Sequence, residues 1–136
     1  MTMRSRVTAW VCGAILLVAS VAAAQNPIGY KLLATSKTST MQKEMQAAGD
    51  AGYEYKGHTV FPSMFGGDEV VAILESDRQA PPVLHEYRLL ATTKTGTMER
   101  ELGTAGEAGF QFVGMTVSKT AMGGSEVVVI TRREKR

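Results

Sequence analysis

Tyr30-Lys-Leu-Leu-Ala-Thr-Ser-Lys-Thr-Ser-Thr-Met41 returns 57 positions later as Tyr87-Arg-Leu-Leu-Ala-Thr-Thr-Lys-Thr-Gly-Thr-Met98. The register holds without a gap as far as Ile73 and Ile130, and 23 of the 44 aligned positions are identical. An ungapped match of that length marks a duplication, and it sets the architecture before any single residue does. Between the copies, Asp77, Arg78 and Gln79 are followed by Pro81-Pro82, which reads as a polar, stiffened linker. The chain therefore divides into an N-terminal segment at 1–24, a first unit at 25–77, a linker at 78–85 and a second unit with a basic tail at 86–136.

Each unit reads as strand, helix, strand, strand. Tyr30, Leu32 and Ala34 alternate onto one face of a first strand. Ser39 or Thr40 offers a helix N-cap, and Ser39 with Gln42 resembles a capping box; Gly96 and Glu99 hold those places in the second copy. Met41, Met45 and Ala48, matched by Met98, Leu102 and Ala105, form the apolar stripe of a helix. Gly49 and Gly52, matched by Gly106 and Gly109, are expected to stop it. Tyr53 and Tyr55, or Phe110 and Phe112, would lie on a second strand and cover the stripe. Gly66-Gly67 and Gly123-Gly124 turn the chain into β-branched runs ending at Ile73 and Ile130. A right-handed crossover leaves a gap between the first two strands, which the third would fill. The expected fold class is α+β: two tandem βαββ repeats forming a pseudo-twofold antiparallel or mixed sheet with two helices on one face, in effect an intramolecular pseudo-dimer.

The N-terminal segment has the three parts of a bacterial-type secretory signal peptide. Arg4 and Arg6 precede an uncharged run from Val7 to Ala24, and Ala22-Ala23-Ala24 offers a cleavage site before Gln25. The rival is an uncleaved anchor, for which the run stands at the short edge of what a spanning helix needs. Cleavage removes Cys12 and Trp10, the only cysteine and tryptophan, leaving neither a disulfide nor a thiolate metal site. It also removes two arginines and no acid, so Lys+Arg falls from 15 to 13 against 13 Asp+Glu. A neutral mature chain gives no bulk-charge support for a nucleic-acid or acidic-membrane partner, and no stable membrane insertion is expected after cleavage. The expected location is the periplasm or the medium.

At Met45-Gln-Ala-Ala-Gly49-Asp-Ala-Gly52-Tyr53-Glu-Tyr55 the chain resembles a small bacterial family known only as a domain of unknown function. Its signature is a helix ending in Leu-Asn-x-x-Gly-x-x-Gly-Trp, followed by two strands. Both copies match, except that Gln46 and Gly103 replace its Asn, and Tyr53 and Phe110 replace its Trp. The resemblance implies a βαββ unit and no particular chemistry.

The residues that invite a functional reading are the loops between first strand and helix: Thr35, Lys37, Thr38 and Thr40, with Thr92, Lys94, Thr95 and Thr97. Hydroxyls and an ammonium beside unpaired helix N–H groups suit a small anion, and the same atoms could hold a sugar. The plainer alternative is that the threonines cap the helix. Glu69 and Glu126 could form a carboxylate pair, or each could serve as a charged strand-edge residue. His58 and His85 have no counterparts in the other copy and no metal-ligand spacing, so no metal or other cofactor is expected. Met64 and Met122 with His58 could bind a soft metal, though methionine more commonly fills space. The tail Arg132 to Arg136 reads as a solvated terminus. These signals favour an exported, non-catalytic binding or interaction module contacting an envelope protein. The alternatives are a small-anion or sugar-binding sensor or enzyme using the Lys37 and Lys94 loops, and a structural component of the envelope.

Overall fold

The computed structural model describes residues 27–64, 67–120, 122 and 124–136. The expected signal segment, with Cys12 and Trp10, lies outside them, as do parts of both Gly-Gly turns. The elements run β1 (Ile28–Thr35), α1 (Thr38–Asp50), β2 (Glu54–Pro62), β3 (Asp68–Asp77), β4 (His85–Thr92), α2 (Thr95–Glu107), β5 (Gln111–Lys119) and β6 (Ser125–Glu134). The class is α+β, with the order βαββ repeated. Among the described residues no helix is long and apolar enough to cross a membrane.

Each unit builds its own three-stranded sheet with its last strand in the middle, β1-β3-β2 and β4-β6-β5. All pairings are antiparallel. The central strands are the β-branched runs, Val70-Val71 and Val127-Val128-Val129, which suits the middle of a sheet. Both second strands carry the same irregularity, between Tyr55 and Gly57 and between Phe112 and Gly114. A bulge there is part of the duplicated design.

Two details differ from the sequence reading. The strands form two separate sheets, and the helices do not share a face. Instead α1 lies between the sheets, covering Leu33, Ala72 and Leu74 of the first and meeting Tyr87 and Ile130 of the second in one core. Helix α2 packs on the far face of the second sheet. The second sheet thus meets α1 along β4 and the first sheet directly along β5, while α2 makes no comparable contact with β1, which is a head-to-tail relation rather than a twofold one. The physical reason lies at the outer edge of β4. Side chains of α1 occupy it, so β1 and β4 cannot pair edge to edge.

The helices start earlier than the capping signals suggested. Lys37 and Lys94 are the N-caps, in extended conformation, with no side-chain cap bond. The capping box fails because the Gln42 amide is engaged elsewhere, as described below. The exit is closer to expectation. Gly52 and Gly109 adopt φ of +81° and +84°, and the Tyr53 and Phe110 N–H groups reach back to the carbonyls of Ala48 and Ala105. This is a glycine-terminated helix end in which only a residue lacking Cβ sits without strain. Gly49, in contrast, lies inside α1 and has a packing role. In the core, Met45 and Leu74 are fully buried, each contributing about 1.5–3 kcal/mol of apolar transfer.

Candidate functional site

An edge strand leaves alternate N–H and C=O groups unpaired, and these must find partners when covered. On β4 they belong to His85, Tyr87 and Leu89, and α1 supplies the partners from two glutamines one turn apart. Gln42 Nε2 donates to the Tyr87 carbonyl at 2.8 Å, and its Oε1 accepts from the Leu89 N–H at 2.7 Å. Gln46 Oε1 accepts from the Tyr87 N–H at 3.0 Å, and its Nε2 donates to the His85 carbonyl at 3.3 Å. Two side-chain amides thus stand in for a neighbouring strand. The Tyr87 hydroxyl, itself buried, accepts from the Tyr55 N–H at 2.7 Å and donates to the Tyr53 carbonyl at 3.2 Å.

Charged and hydroxyl groups ring this contact. Thr38 Oγ1 donates to Glu126 at 2.8 Å, Arg132 pairs with Glu54 at 2.7 Å, and Lys135 pairs with Asp50. Lys56 and Arg132 beside Glu54 hold its carboxyl below the usual range, and the Lys135 ammonium does the same for Asp50. The basic tail is therefore built into the second sheet and the contact between units, not simply solvated. Arg133 pairs with Glu86 at 2.7 Å, donates to the Ala108 carbonyl at 2.6 Å and stacks on Phe110. The sequence reading missed this role. The signal available was the extension of the last β-branched run into alternating Thr131, Arg132 and Arg133.

The expected loop residues have local duties. Thr35 Oγ1 accepts from the Lys37 N–H at 3.2 Å, and Thr92 Oγ1 from the Lys94 N–H at 3.1 Å. These hydroxyls brace the turn into each helix. Thr38 is drawn to Glu126, so two residues singled out for separate reasons meet across the units. Lys37, Lys94, Thr95 and Glu69 are at least partly exposed, as are Thr40 and Thr97. Glu69 and Glu126 stand on the central strands of different sheets. A cleft of about 870 Å³ beside the tail is lined by other residues, among them Arg132, Arg133 and Glu107. His58 Nδ1 lies 2.6 Å from the Tyr55 hydroxyl, while Met64 and Met122 are both 96% exposed. Among the described residues there is no group of three or more His, Cys, Asp or Glu placed to hold a metal ion.

The contact between units is one-sided. Tyr87 is 2% exposed, but its counterpart Tyr30 is 68% exposed; Ile130 is 0% exposed and Ile73 46%. Leu32, matching the half-covered Leu89, is 64% exposed. Among the described residues no element occupies the outer edge of β1 or the face carrying these residues. Large apolar side chains clustered on one sheet face, rather than scattered singly, mark a contact surface. No protein-family profile, curated protein or solved structure matches the chain. The contrast between the two copies is thus the most direct internal guide to what the free face accepts.

His85 is buried, and among the described residues its Nδ1 has no hydrogen-bond partner. Burial and the nearby Arg132 hold its pKa below the usual histidine value. The unfolded chain therefore takes up a proton below about pH 6.5 that the folded chain refuses, so stability falls as pH drops through that value. The wild-type melting temperature should decline between pH 7 and 5.5, and His85→Leu should flatten the decline. An unchanged slope in the variant would assign the effect elsewhere.

Proposed function

We propose that this chain is an exported, non-catalytic interaction module whose working surface is the outer face of the first sheet. The observation that carries the reading is the pair Tyr30 and Leu32, exposed on β1 while the same residues at 87 and 89 are covered. A broad apolar sheet face suits a macromolecular partner better than a small polar substrate. Export is supported by the basic start at Arg4 and Arg6, the apolar run to Ala24 and the small residues before Gln25. The Gly49-x-x-Gly52 helix end supports kinship of both units with the small bacterial βαββ family. A structural role in the envelope would use the same face. The reading based on anion or sugar binding stands second, because the Thr35, Thr92 and Thr38 hydroxyls already have protein partners.

Site-specific photocrosslinking in the producing cell tests this. A crosslinker at position 32 should trap adducts in the extracytoplasmic fraction, on a chain beginning near Gln25. The same group at Lys43, exposed on α1, should trap far fewer. Equal trapping at both positions, or a chain confined to the cytoplasm, would remove the proposal.

A further inference from the structure

We infer that the chain binds a second copy of itself head to tail: the α2-bearing face of unit 2 in one molecule seats on the outer face of the first sheet in the next. The inference rests on that face being an interaction surface, and it names the partner. Its basis is that the surfaces left open at the two ends of the molecule are the two halves of the contact already formed inside it.

The receiving half is repeated residue for residue. Inside the molecule, unit 1 rests on Tyr87, Leu89, Gly114 and Ile130. At the open end the same positions are Tyr30, Leu32, Gly57 and Ile73, with identical residues. The glycine shows how closely the surfaces meet. A Cβ on Gly114 would lie 2.6 Å from the Tyr55 hydroxyl, whereas nothing lies within 4 Å of one on Gly57. The place beside Gly57 is open to a ring like that of Tyr55.

The seating half is present at the other end. Phe112, the counterpart of Tyr55, is 60% exposed, and Met115 and Val117 are exposed on the same face of β5. Two polar pairs also recur with their chemistry intact. The Thr38–Glu126 hydrogen bond has Thr95 and Glu69 as counterparts. The Asp50–Lys135 ion pair has Glu107 and Arg78, and all four of these residues are at least partly exposed. The Tyr87 hydroxyl bonds to two main-chain groups, so Tyr30 can make the same bonds to Phe110 and Phe112.

Three elements of the internal contact are missing: the Arg132–Glu54 and Lys119–Asp68 ion pairs, whose counterpart positions hold Glu75 with Gln111 and Pro62 with Ser125, and the glutamine pair. Where α1 has Gln42 and Gln46, α2 has Glu99 and Gly103. Glycine offers no amide, and a carboxylate accepts without donating. The intermolecular contact therefore lacks the bonds that close the β4 edge, and it is weaker than the internal one and reversible with concentration. Because it joins unlike surfaces, it closes into a ring or runs on as a filament according to the rotation per step.

Sedimentation velocity on the full chain in mild non-ionic detergent, from low micromolar to near-millimolar, tests the inference. Wild type should associate reversibly. Leu32→Arg spoils only the receiving half and Phe112→Arg only the seating half, so each alone should remain monomeric. Their equimolar mixture should form a one-to-one dimer and nothing larger, since one good half survives on each. Leu32→Ser and Phe112→Ser repeat the test if the arginine variants melt early. Glu99→Gln with Gly103→Gln should tighten association about tenfold or more by restoring the glutamine pair. The inference is overturned if the mixture stays monomeric, or if Leu32→Arg dissociates the assembly and Phe112→Arg does not, which would mean that like faces pair. It is overturned equally if both variants associate as wild type does, placing the contact elsewhere. Crosslinks from position 32 reaching only a different protein would leave the interaction reading standing and end this one.

Discussion

Replacing Gln42 and Gln46 together with alanine should lower the free energy of unfolding by about 2–4 kcal/mol, while Glu99→Ala with Gly103→Ala should leave it unchanged or slightly raised. The two pairs occupy matching positions on matching helices, and only the first touches a strand. Four hydrogen bonds tie Gln42 and Gln46 to β4. A typical bond contributes about 0.5–1.5 kcal/mol net, and a covered backbone group left without a partner costs more. Alanine returns a few tenths of a kcal/mol in helix propensity, which is too little to offset that loss. In α2 the balance reverses, since Gly103→Ala gains about 0.8–1 kcal/mol of propensity and loses no contact. Denaturant titration of the variants measures the difference. A smaller slope with denaturant in the Gln42/Gln46 variant would further indicate that the units no longer unfold together.

The duplicated pattern carried much of the fold. The 57-residue repeat, the Met41, Met45 and Ala48 stripe and the β-branched third strands were enough to place two βαββ units, each with its last strand central. The arrangement of the units was less legible, because a repeat suggests symmetry and the decisive residues break it. Gln42 and Gln46 look like ordinary solvent-facing helix positions. Only the edge of β4 gives them a partner, and that edge comes from a strand more than 35 positions away, since Gln42 and Tyr87 are separated by 45. The differences at 99 and 103 are visible in the aligned copies and are the sequence trace of the asymmetry. Of the candidate loop residues, Thr35 and Thr92 end β1 and β4 and Lys37 and Lys94 are the helix N-caps, while Thr38, Thr40, Thr95 and Thr97 lie in the first turns of the helices. Thr35 and Thr92 brace the turns into the helices, a role that competes with ligand binding for the same hydroxyls. Phe112 shows the limit of pattern reading. It repeats Tyr55 in the strand and lies on the same face, yet it is exposed because, among the described residues, no further layer stands beyond the second unit.

Alanine substitution at the aligned pair Gly49 and Gly106 tests the one-sided packing most directly, through the melting temperature of each variant. A Cβ on Gly49 would lie 2.4 Å from the His85 carbonyl oxygen and 2.9 Å from the Tyr87 ring, whereas nothing lies within 4 Å of one on Gly106. The obstacle at Gly49 is partly backbone and cannot swing aside. Overpacking of this kind costs about 1–3 kcal/mol or more, beyond the gain from replacing a helical glycine. Gly106→Ala meets no obstacle and should gain about 0.5–1 kcal/mol. For a domain of this size each kcal/mol moves the midpoint by about 4 °C. The account predicts a clear drop for Gly49→Ala and a small rise for Gly106→Ala, with Gly114→Ala falling below Gly57→Ala in the same way. Equal shifts within each pair would mean that both units pack alike, and would contradict the head-to-tail arrangement.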